Sequence, residues 1–295
     1  MFDRTKVVSK PVIPGIAAVV CALVLGCDSK PATNGSGTTV NTNVSLKPSV
    51  VNNNPTTSQP RGEANNLLDL ISKGTAKPEQ FTERFLSLIA PPTSQAEKTA
   101  GYSATDLSIW LSRFEKAKFV VNEENTFAKT IALHGRVELP SGKSAFTVHV
   151  TQGAKGYQIS WLHRSDRMAS EVKLPSGDTS IEVFEISRCF LDLTFGGDRL
   201  QAQQLMSNSF KEREGGAPTA ADMAVGRTYD FGFLNQKMAS WGRGVTGYSI
   251  TLVTIDATGK QATAAIKLYQ EGGNSDATIQ LEKPAESWLV SNFKK

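Results

Sequence analysis

The three histidines are the first candidates for chemistry, because imidazole binds metals and transfers protons near neutral pH. His134, His149 and His163 all lie in segments with the alternating pattern of strands. No His-x-His or His-x-x-x-His spacing occurs, so no single element presents two histidine ligands together. The turn at 153–156 pairs His149 with Ser160, and a one-residue register choice decides whether the rings of His149 and His163 share a face. We therefore expect polar positions on a sheet and no metal site.

Motifs for nucleophilic and phosphate chemistry are missing as well. No G-x-S-x-G segment occurs that would expose a nucleophilic serine. The glycines of "FGGDRL" (195–200) are not followed by a Lys-Ser/Thr pair, so they indicate a helix end, with Asp198 as the N-cap of the next helix. Tyr229-Asp230 similarly predicts a helix start with Asp230 as its N-cap. We find no catalytic set and predict no cofactor.

The first 26 residues have the layout of an export signal. Three basic side chains and one acid in residues 1–10 precede sixteen uncharged residues, 11–26. A stable transmembrane helix needs about 20 apolar residues, and this run is shorter and contains Pro14 and Gly15. A retained membrane anchor is the alternative interpretation. The last four residues of "LVLGC", Val24 to Cys27, resemble a bacterial lipobox.

The lipobox resemblance implies cleavage between Gly26 and Cys27 and attachment of a diacylglycerol to the Cys27 sulfur. Several acyl chains on one residue make a lasting anchor, whereas a single chain holds a protein only reversibly. The resemblance therefore implies a lipid-anchored protein of the bacterial cell envelope, exported across the cytoplasmic membrane. Residues 27–62 are rich in Ser, Thr, Asn, Pro and Gly and predict a disordered tether that starts at the lipidated cysteine.

Charge and cysteine content exclude further classes. Removing residues 1–26 takes away three bases and one acid, which lowers the net charge from +4 to +2. Lysine and arginine are spread along the chain, so no electrostatic footprint for nucleic acid is present. After cleavage, with Cys27 acylated, Cys189 is the one free cysteine, and no intrachain disulfide can form. Its apolar helical neighbourhood predicts a buried structural cysteine.

The remaining chain contains a degenerate repeat. "FLSL" at 85–88 and "FLDL" at 190–193 lie on helical patterns, and each helical block is followed by strands. Trp110 and Trp241 are separated by 131 residues, and Trp161 and Trp288 by 127, so all four tryptophans align in matching elements. Strands are predicted at 117–121, 126–139, 143–152, 157–164, 247–256, 260–270, 275–283 and 286–294. Segregated helices and strands indicate an α+β fold with an antiparallel sheet in each half.

This element order, together with "SWLVSNF" at the end, resembles the NTF2-like (cystatin-like α+β roll) superfamily. The resemblance implies two tandem NTF2-like rolls, each with N-terminal helices on a curved antiparallel four-stranded sheet, after the tether. The domains would cover 63–166 and 179–295, joined by a linker at 167–178 with or without a short strand. Each sheet would enclose a cone-shaped cavity. Four tryptophans are candidates for lining it: Trp110, Trp161, Trp241 and Trp288.

Enzymes of this superfamily place a carboxylate in the cone, with a raised pKa and a Tyr or acid nearby. Five residues are candidates for these roles: Asp192, Tyr229, Asp230, Tyr248 and Tyr269. On a helix the apolar neighbours of Asp192 point elsewhere, so we expect Asp192 to face solvent. We therefore predict a non-catalytic module that binds an envelope protein or a small apolar ligand and contacts the membrane through the acyl chains. The alternatives are a structural subunit of an envelope complex and an NTF2-like isomerase or hydrolase.

Overall fold

The computed structural model describes residues 58–295 except Met168. The predicted signal peptide (1–26), the lipidation at Cys27 and most of the predicted tether lie outside the described residues. The described residues belong to one compact unit. None of its helices is long and apolar enough to cross a membrane.

Each of two helical blocks is followed by four antiparallel strands, as the repeat predicts. A short 3-10 turn at Pro78–Gln80 follows the first helix. The first half consists of α1 (Ser58–Ser72), α2 (Glu83–Ile89), α3 (Gln95–Ala100), α4 (Ala104–Ser112), β1 (Lys118–Phe127), β2 (Thr130–Leu139), β3 (Gly142–Gly153) and β4 (Gly156–Ser165). The second half consists of β5 (Ala169–Glu171), α5 (Asp178–Gly196), α6 (Arg199–Gln204), α7 (Asn208–Gly215), α8 (Ala220–Ala224), α9 (Phe231–Trp241), β6 (Val245–Ile255), β7 (Gln261–Gln270), β8 (Gly273–Glu282) and β9 (Leu289–Lys294).

Two parts of the prediction, the start of the first helix and the strand at 126–139, need correction. Helix α1 begins at Ser58, so residues 58–62 of the predicted tether are helical. The predicted strand at 126–139 is wrong, because the chain turns at Ala128-Lys129 and residues before the turn belong to β1. Ala128 has a φ of 48°, the left-handed conformation that usually selects glycine or asparagine. The sequence therefore shows no turn signal at this place.

The strand order is β1-β2-β3-β4 in the first sheet and β5-β6-β7-β8-β9 in the second. The four antiparallel strands predicted for each half are confirmed, and the second sheet has one strand more. The additional strand, β5, has three residues and pairs parallel to β6. It lies within 167–178, the predicted linker, so part of this segment extends the second sheet.

A β-bulge in β4 decides which way the histidines point. His149 lies opposite Trp161 and Val150 lies opposite Ile159, so Ser160 has no partner in the ladder. The predicted pairing of His149 with Ser160 is therefore wrong by one residue. Beyond the bulge, Thr147 lies opposite both His134 and His163. Directly paired residues share a face of the sheet, so all three histidines project from the same face.

Helix α5 covers that face and also packs on the second sheet. It contacts β1 and β4 of the first sheet and β6, β7 and β9 of the second. Because sheets lie on more than one side of it, the helix is buried almost all round from Val183 to Thr194. Asp192 is only 2% exposed, so the prediction that it faces solvent is wrong. The helix ends at Gly197 in the left-handed conformation, and Asp198 caps α6 as predicted.

Candidate functional site

Helix α5 carries three buried charged side chains at helical spacing. Glu185, Arg188 and Asp192 lie at positions i, i+3 and i+7, which places them on one face. All three are at most 2% exposed. Buried charges are rare unless they are paired, so this face must meet partners on the sheets. The spacing of these charges was the one sequence signal for the site.

Glu185 meets the first sheet through both carboxylate oxygens. Its Oε2 lies 2.9 Å from Nε2 of His134 and 3.5 Å from Nε2 of His149. Its Oε1 accepts a hydrogen bond of 2.7 Å from Nδ2 of Asn125. The other ring nitrogen of His134, Nδ1, lies 2.8 Å from the Thr147 hydroxyl. Two histidines that the sequence left on separate strands therefore converge on one carboxylate.

Arg188 supplies the cation of this cluster. Its Nη1 donates a 2.7 Å hydrogen bond to Oε1 of Glu123, which also accepts one of 2.8 Å from Asn125. Arg188 belongs to α5, and Glu123 lies on β1 immediately after a bulge at Val121/Glu123. The ion pair therefore joins the helix to the edge strand of the first sheet.

Asp192 is the centre of a second network, which joins both sheets. The Tyr248 hydroxyl, from β6, donates to Oδ1 of Asp192 at 2.6 Å. Oδ2 of the same carboxylate lies 3.7 Å from Nε2 of His163, on β4. Nδ1 of His163 accepts from the indole N–H of Trp161 at 2.8 Å, which leaves the ring proton on Nε2, facing Asp192. The chain Trp161–His163–Asp192–Tyr248 thus runs from the first sheet to the second.

The pKa shifts follow from burial and from these neighbours. Burial by itself would raise the pKa of Glu185, but His134, His149 and Arg188 hold it well below its usual range. Burial likewise opposes the charged form of Glu123, and its pKa is nevertheless lowered by Arg188 and His134. Burial and Arg188 lower the pKa of His134. Both glutamates are therefore carboxylates at neutral pH.

Two nearby groups remain protonated. Burial raises the pKa of Tyr248 well above its usual value, and Asp192 adds to the effect. Burial also raises the pKa of Cys189, together with Glu185 and Asp192. The Cys189 sulfur lies 3.7 Å from Nε2 of His149 and is enclosed, which confirms the predicted buried cysteine. A thiol that stays protonated is a poor nucleophile.

The remaining acid–base candidates do not contact the charged residues of α5. Asp230 accepts a 2.8 Å hydrogen bond from the Phe233 N–H and caps α9, as predicted. The Tyr229 hydroxyl donates to Gln203. The Tyr269 hydroxyl pairs with that of Ser249 at 2.9 Å. Of the five candidates, only Asp192 and Tyr248 come together.

The four tryptophans pack against other aromatic rings or lie in the core. The Trp110 ring meets Phe81 and Phe85 edge-on, with centroids 5.8 Å apart in each pair. Trp241 is half-buried and stacks on Phe210 at 6.0 Å. Trp161 and Trp288 are buried. Trp110 also lines part of a groove between the two halves.

This groove, which we call the basic groove, has a volume of about 320 Å³. It lies between the end of α4, the β2–β3 turn and the α5–α6 junction. Its charged lining consists of Arg113, Lys143, Arg164, Asp166 and Asp198, with His163 at its wall. Lys143 is also paired with Glu138 at 3.0 Å, so the groove is suited to a polar group rather than an apolar one.

No protein-family model and no curated protein matches the chain. Among solved structures, the chain is similar to an Ntf2 like protein involved in plasmid conjugation, at 8% identity over 72% of this chain and 92% of that one, with a TM-score of 0.25. It is also similar to a cystatin-like protein from Ruminococcus gnavus ATCC 29149, at 15% identity over 78% of this chain and 85% of that one, with a TM-score of 0.21. Both matches are weak. The α+β class therefore rests on the strand order and helix packing described above.

Proposed function

We propose that the chain is a lipid-anchored cell-envelope protein whose folded part binds a ligand or another protein without catalysing a reaction. One observation carries the non-catalytic part. The converging ionisable residues are enclosed under α5 and paired with one another, and the two glutamate pKa values are lowered. The anchor is supported by the signal layout and the lipobox-like segment that ends at Cys27.

An isomerase or hydrolase of the NTF2-like kind would need a carboxylate with a raised pKa in contact with substrate. The pKa of Glu185 is lowered instead of raised, and its side chain is fully buried between His134 and Asn125. Asp192 is occupied by Tyr248 and His163. These contacts argue for a role of the acid–base residues in holding the helix, and they favour the binding proposal.

The basic groove is the favoured binding surface. Lys143, at the β2–β3 turn, is exposed and lines it together with Arg113 and Arg164. We infer that it takes a polar group of an envelope component, in preference to the small apolar ligand that the sequence suggested. A structural subunit is the second candidate, favoured by exposed apolar side chains near α8 and α9: Met223, Val225 and Phe233.

The anchor is tested by replacing the proposed lipidation site. Cys27→Ser should abolish incorporation of labelled palmitate and block signal cleavage. Cys21→Ser, in the same uncharged run, is the matched control and should behave as the wild type. A Cys27→Ser chain that is still processed and labelled contradicts the anchor.

Binding is tested by crosslinking the full chain in cells, followed by mass spectrometry of the captured protein and of co-eluting small molecules. Lys143→Glu should reduce capture of a groove ligand, while Lys155→Glu, an exposed lysine at the β3–β4 turn, should leave it unchanged. Capture of one fixed protein in both variants, with no small molecule, favours the structural subunit. Turnover of a substrate that is lost in Asp192→Asn contradicts the proposal.

A further inference from the structure

We propose that Glu123, His134 and Glu185 form a binding site for a divalent transition metal ion such as Zn²⁺. One ligand atom from each side chain lies within 4.8 Å of the others, so modest side-chain movements would bring all three onto one ion. Imidazole nitrogen together with carboxylate oxygen is a ligand set that Zn²⁺ accepts. This site goes beyond the binding function proposed above and does not depend on it.

Two buried atoms of the cluster lack a hydrogen-bond partner. They are Nε2 of His134 and Oε2 of Glu185, both fully enclosed. The atoms face each other at 2.9 Å as an ion pair, without a well-aligned hydrogen bond between them. Buried polar atoms are usually fully hydrogen-bonded, so this incomplete pairing leaves both atoms able to bind a cation.

The distances suit metal ligands. Zinc–nitrogen and zinc–oxygen bonds of about 2.0–2.1 Å in a tetrahedron place the ligand atoms about 3.3 Å apart. The observed separations from Glu185 Oε2 are 2.9 Å to His134 and 3.5 Å to His149, on either side of this value. His149 lies near the site but outside the group of three, whose ligand atoms all lie within 4.8 Å of one another.

The outer partners orient the ligand atoms towards the same point. If the His134 Nδ1 proton is donated to the Thr147 hydroxyl, at 2.8 Å, the Nε2 lone pair faces inward. Asn125 holds Oε1 of Glu185 at 2.7 Å and leaves Oε2 for the ion. Such hydrogen bonds to the far side of a ligand are the usual support of a metal site.

The formal charges of the cluster also favour a cation. Glu123, Glu185 and Asp192 are three carboxylates near one guanidinium, that of Arg188, so two formal negative charges remain when the histidines are neutral. One divalent ion cancels both. Arg188 engages Oε1 of Glu123, which leaves the second oxygen of that carboxylate for the ion.

Glu123 gives the ion a route inward. Its side chain is 21% exposed, while that of Arg188 is 1% exposed. It lies on β1, which is an edge strand of the first sheet. The ion would meet Glu123 first and then the enclosed His134 and Glu185.

The test uses the full chain, purified in detergent and treated with a chelator. Titration with Zn²⁺ in a calorimeter, and with Co²⁺ in a spectrophotometer, should show one ion per chain and a raised unfolding temperature. Glu123→Gln should weaken Zn²⁺ binding by about 10-fold or more. Glu138→Gln is the control, a glutamate of similar side-chain exposure (28%) on the neighbouring strand, and should bind as the wild type.

Near-ultraviolet circular dichroism of each variant shows whether it is folded. The proposal is overturned if the folded wild type binds neither ion stoichiometrically, or if Glu123→Gln and His134→Gln both bind with unchanged affinity. A thiolate-to-cobalt charge-transfer band would place Cys189 among the ligands and would also overturn the ligand set.

Discussion

At the residue scale, Arg188 shows why the polar cluster is maintained as a whole. A buried ion pair gains little over apolar packing, because both charges lose their water. Removing one member alone is costly, since it leaves the others buried and unpaired. Arg188 faces Glu123 at 2.7 Å and adds to the lowered pKa of Glu185, so its loss would affect two carboxylates.

We therefore expect Arg188→Met to lower the free energy of unfolding by about 3–5 kcal/mol. Lys73→Met is the control, because the exposed pair of Lys73 with Asp69 should contribute less than about 1 kcal/mol. Urea denaturation in chelator-containing buffer measures both. Equal losses in the two variants would contradict the role of Arg188.

The pKa shifts predict that the protein is destabilised by acid in two steps. The folded pKa of His134 lies below its ordinary 6.5, so the unfolded chain takes up that proton first and stability falls as the pH drops below 6.5. The folded pKa of Glu185 lies below 4.5, so its contribution, present above pH 4.5, is lost as the pH falls further. In urea titrations at a series of pH values, His134→Gln should remove the upper step. An unchanged slope between pH 6.5 and 4.5 would contradict this assignment.

The roles of single residues were predictable from the sequence where they depend only on neighbouring residues in the chain. Asp198 and Asp230 cap helices because a short acidic side chain reaches the free N–H groups of the following turn. The prediction that Asp192 faces solvent was wrong, because its burial depends on two sheets that are far apart in sequence. No local pattern contains that information, although its spacing from Glu185 and Arg188 was visible.

At the scale of elements, the first sheet owes its geometry to irregular positions. The bulge in β1 lies beside Gly135, where an added Cβ would come 2.0 Å from the Val120 carbonyl oxygen. Only glycine allows the two strands to approach this closely. Strand existence was predictable from alternation, but neither this bulge nor the one at Ser160 leaves a mark in the hydrophobic pattern.

Gly135→Ala should therefore destabilise the fold by at least about 1–3 kcal/mol, since backbone must move to relieve the clash. Gly272→Ala, in the β7–β8 turn, meets nothing within 4 Å and should be close to neutral. Thermal unfolding of the two variants provides the comparison. A neutral Gly135→Ala would mean that β1 can move away from β2 at little cost.

At the scale of the whole molecule, α5 is shared by both halves. Its contacts with β1 and β4 on one side and with β6, β7 and β9 on the other make one continuous apolar core. The repeat in the sequence predicts two tandem domains. A repeat indicates which helices and strands exist, but it does not show that one helix packs on both sheets.

We expect the two halves to unfold together. Urea unfolding followed by far-ultraviolet circular dichroism and by tryptophan fluorescence should give one coincident transition, because detaching α5 exposes the inner face of both sheets. Fluorescence reports on both halves, since Trp161 and Trp288 lie in different sheets or next to them. Two separated transitions would show that the halves are independent.

The burial of Cys189 on this shared helix allows the rate of local opening of the helix to be measured. Its sulfur is sealed beneath α5, so an alkylating reagent can reach it only during the brief intervals when the helix lifts away. The rate of alkylation in native buffer would then report how often the helix opens. Slower alkylation after adding a ligand would reveal that the ligand clamps the helix down, even before the ligand has been identified.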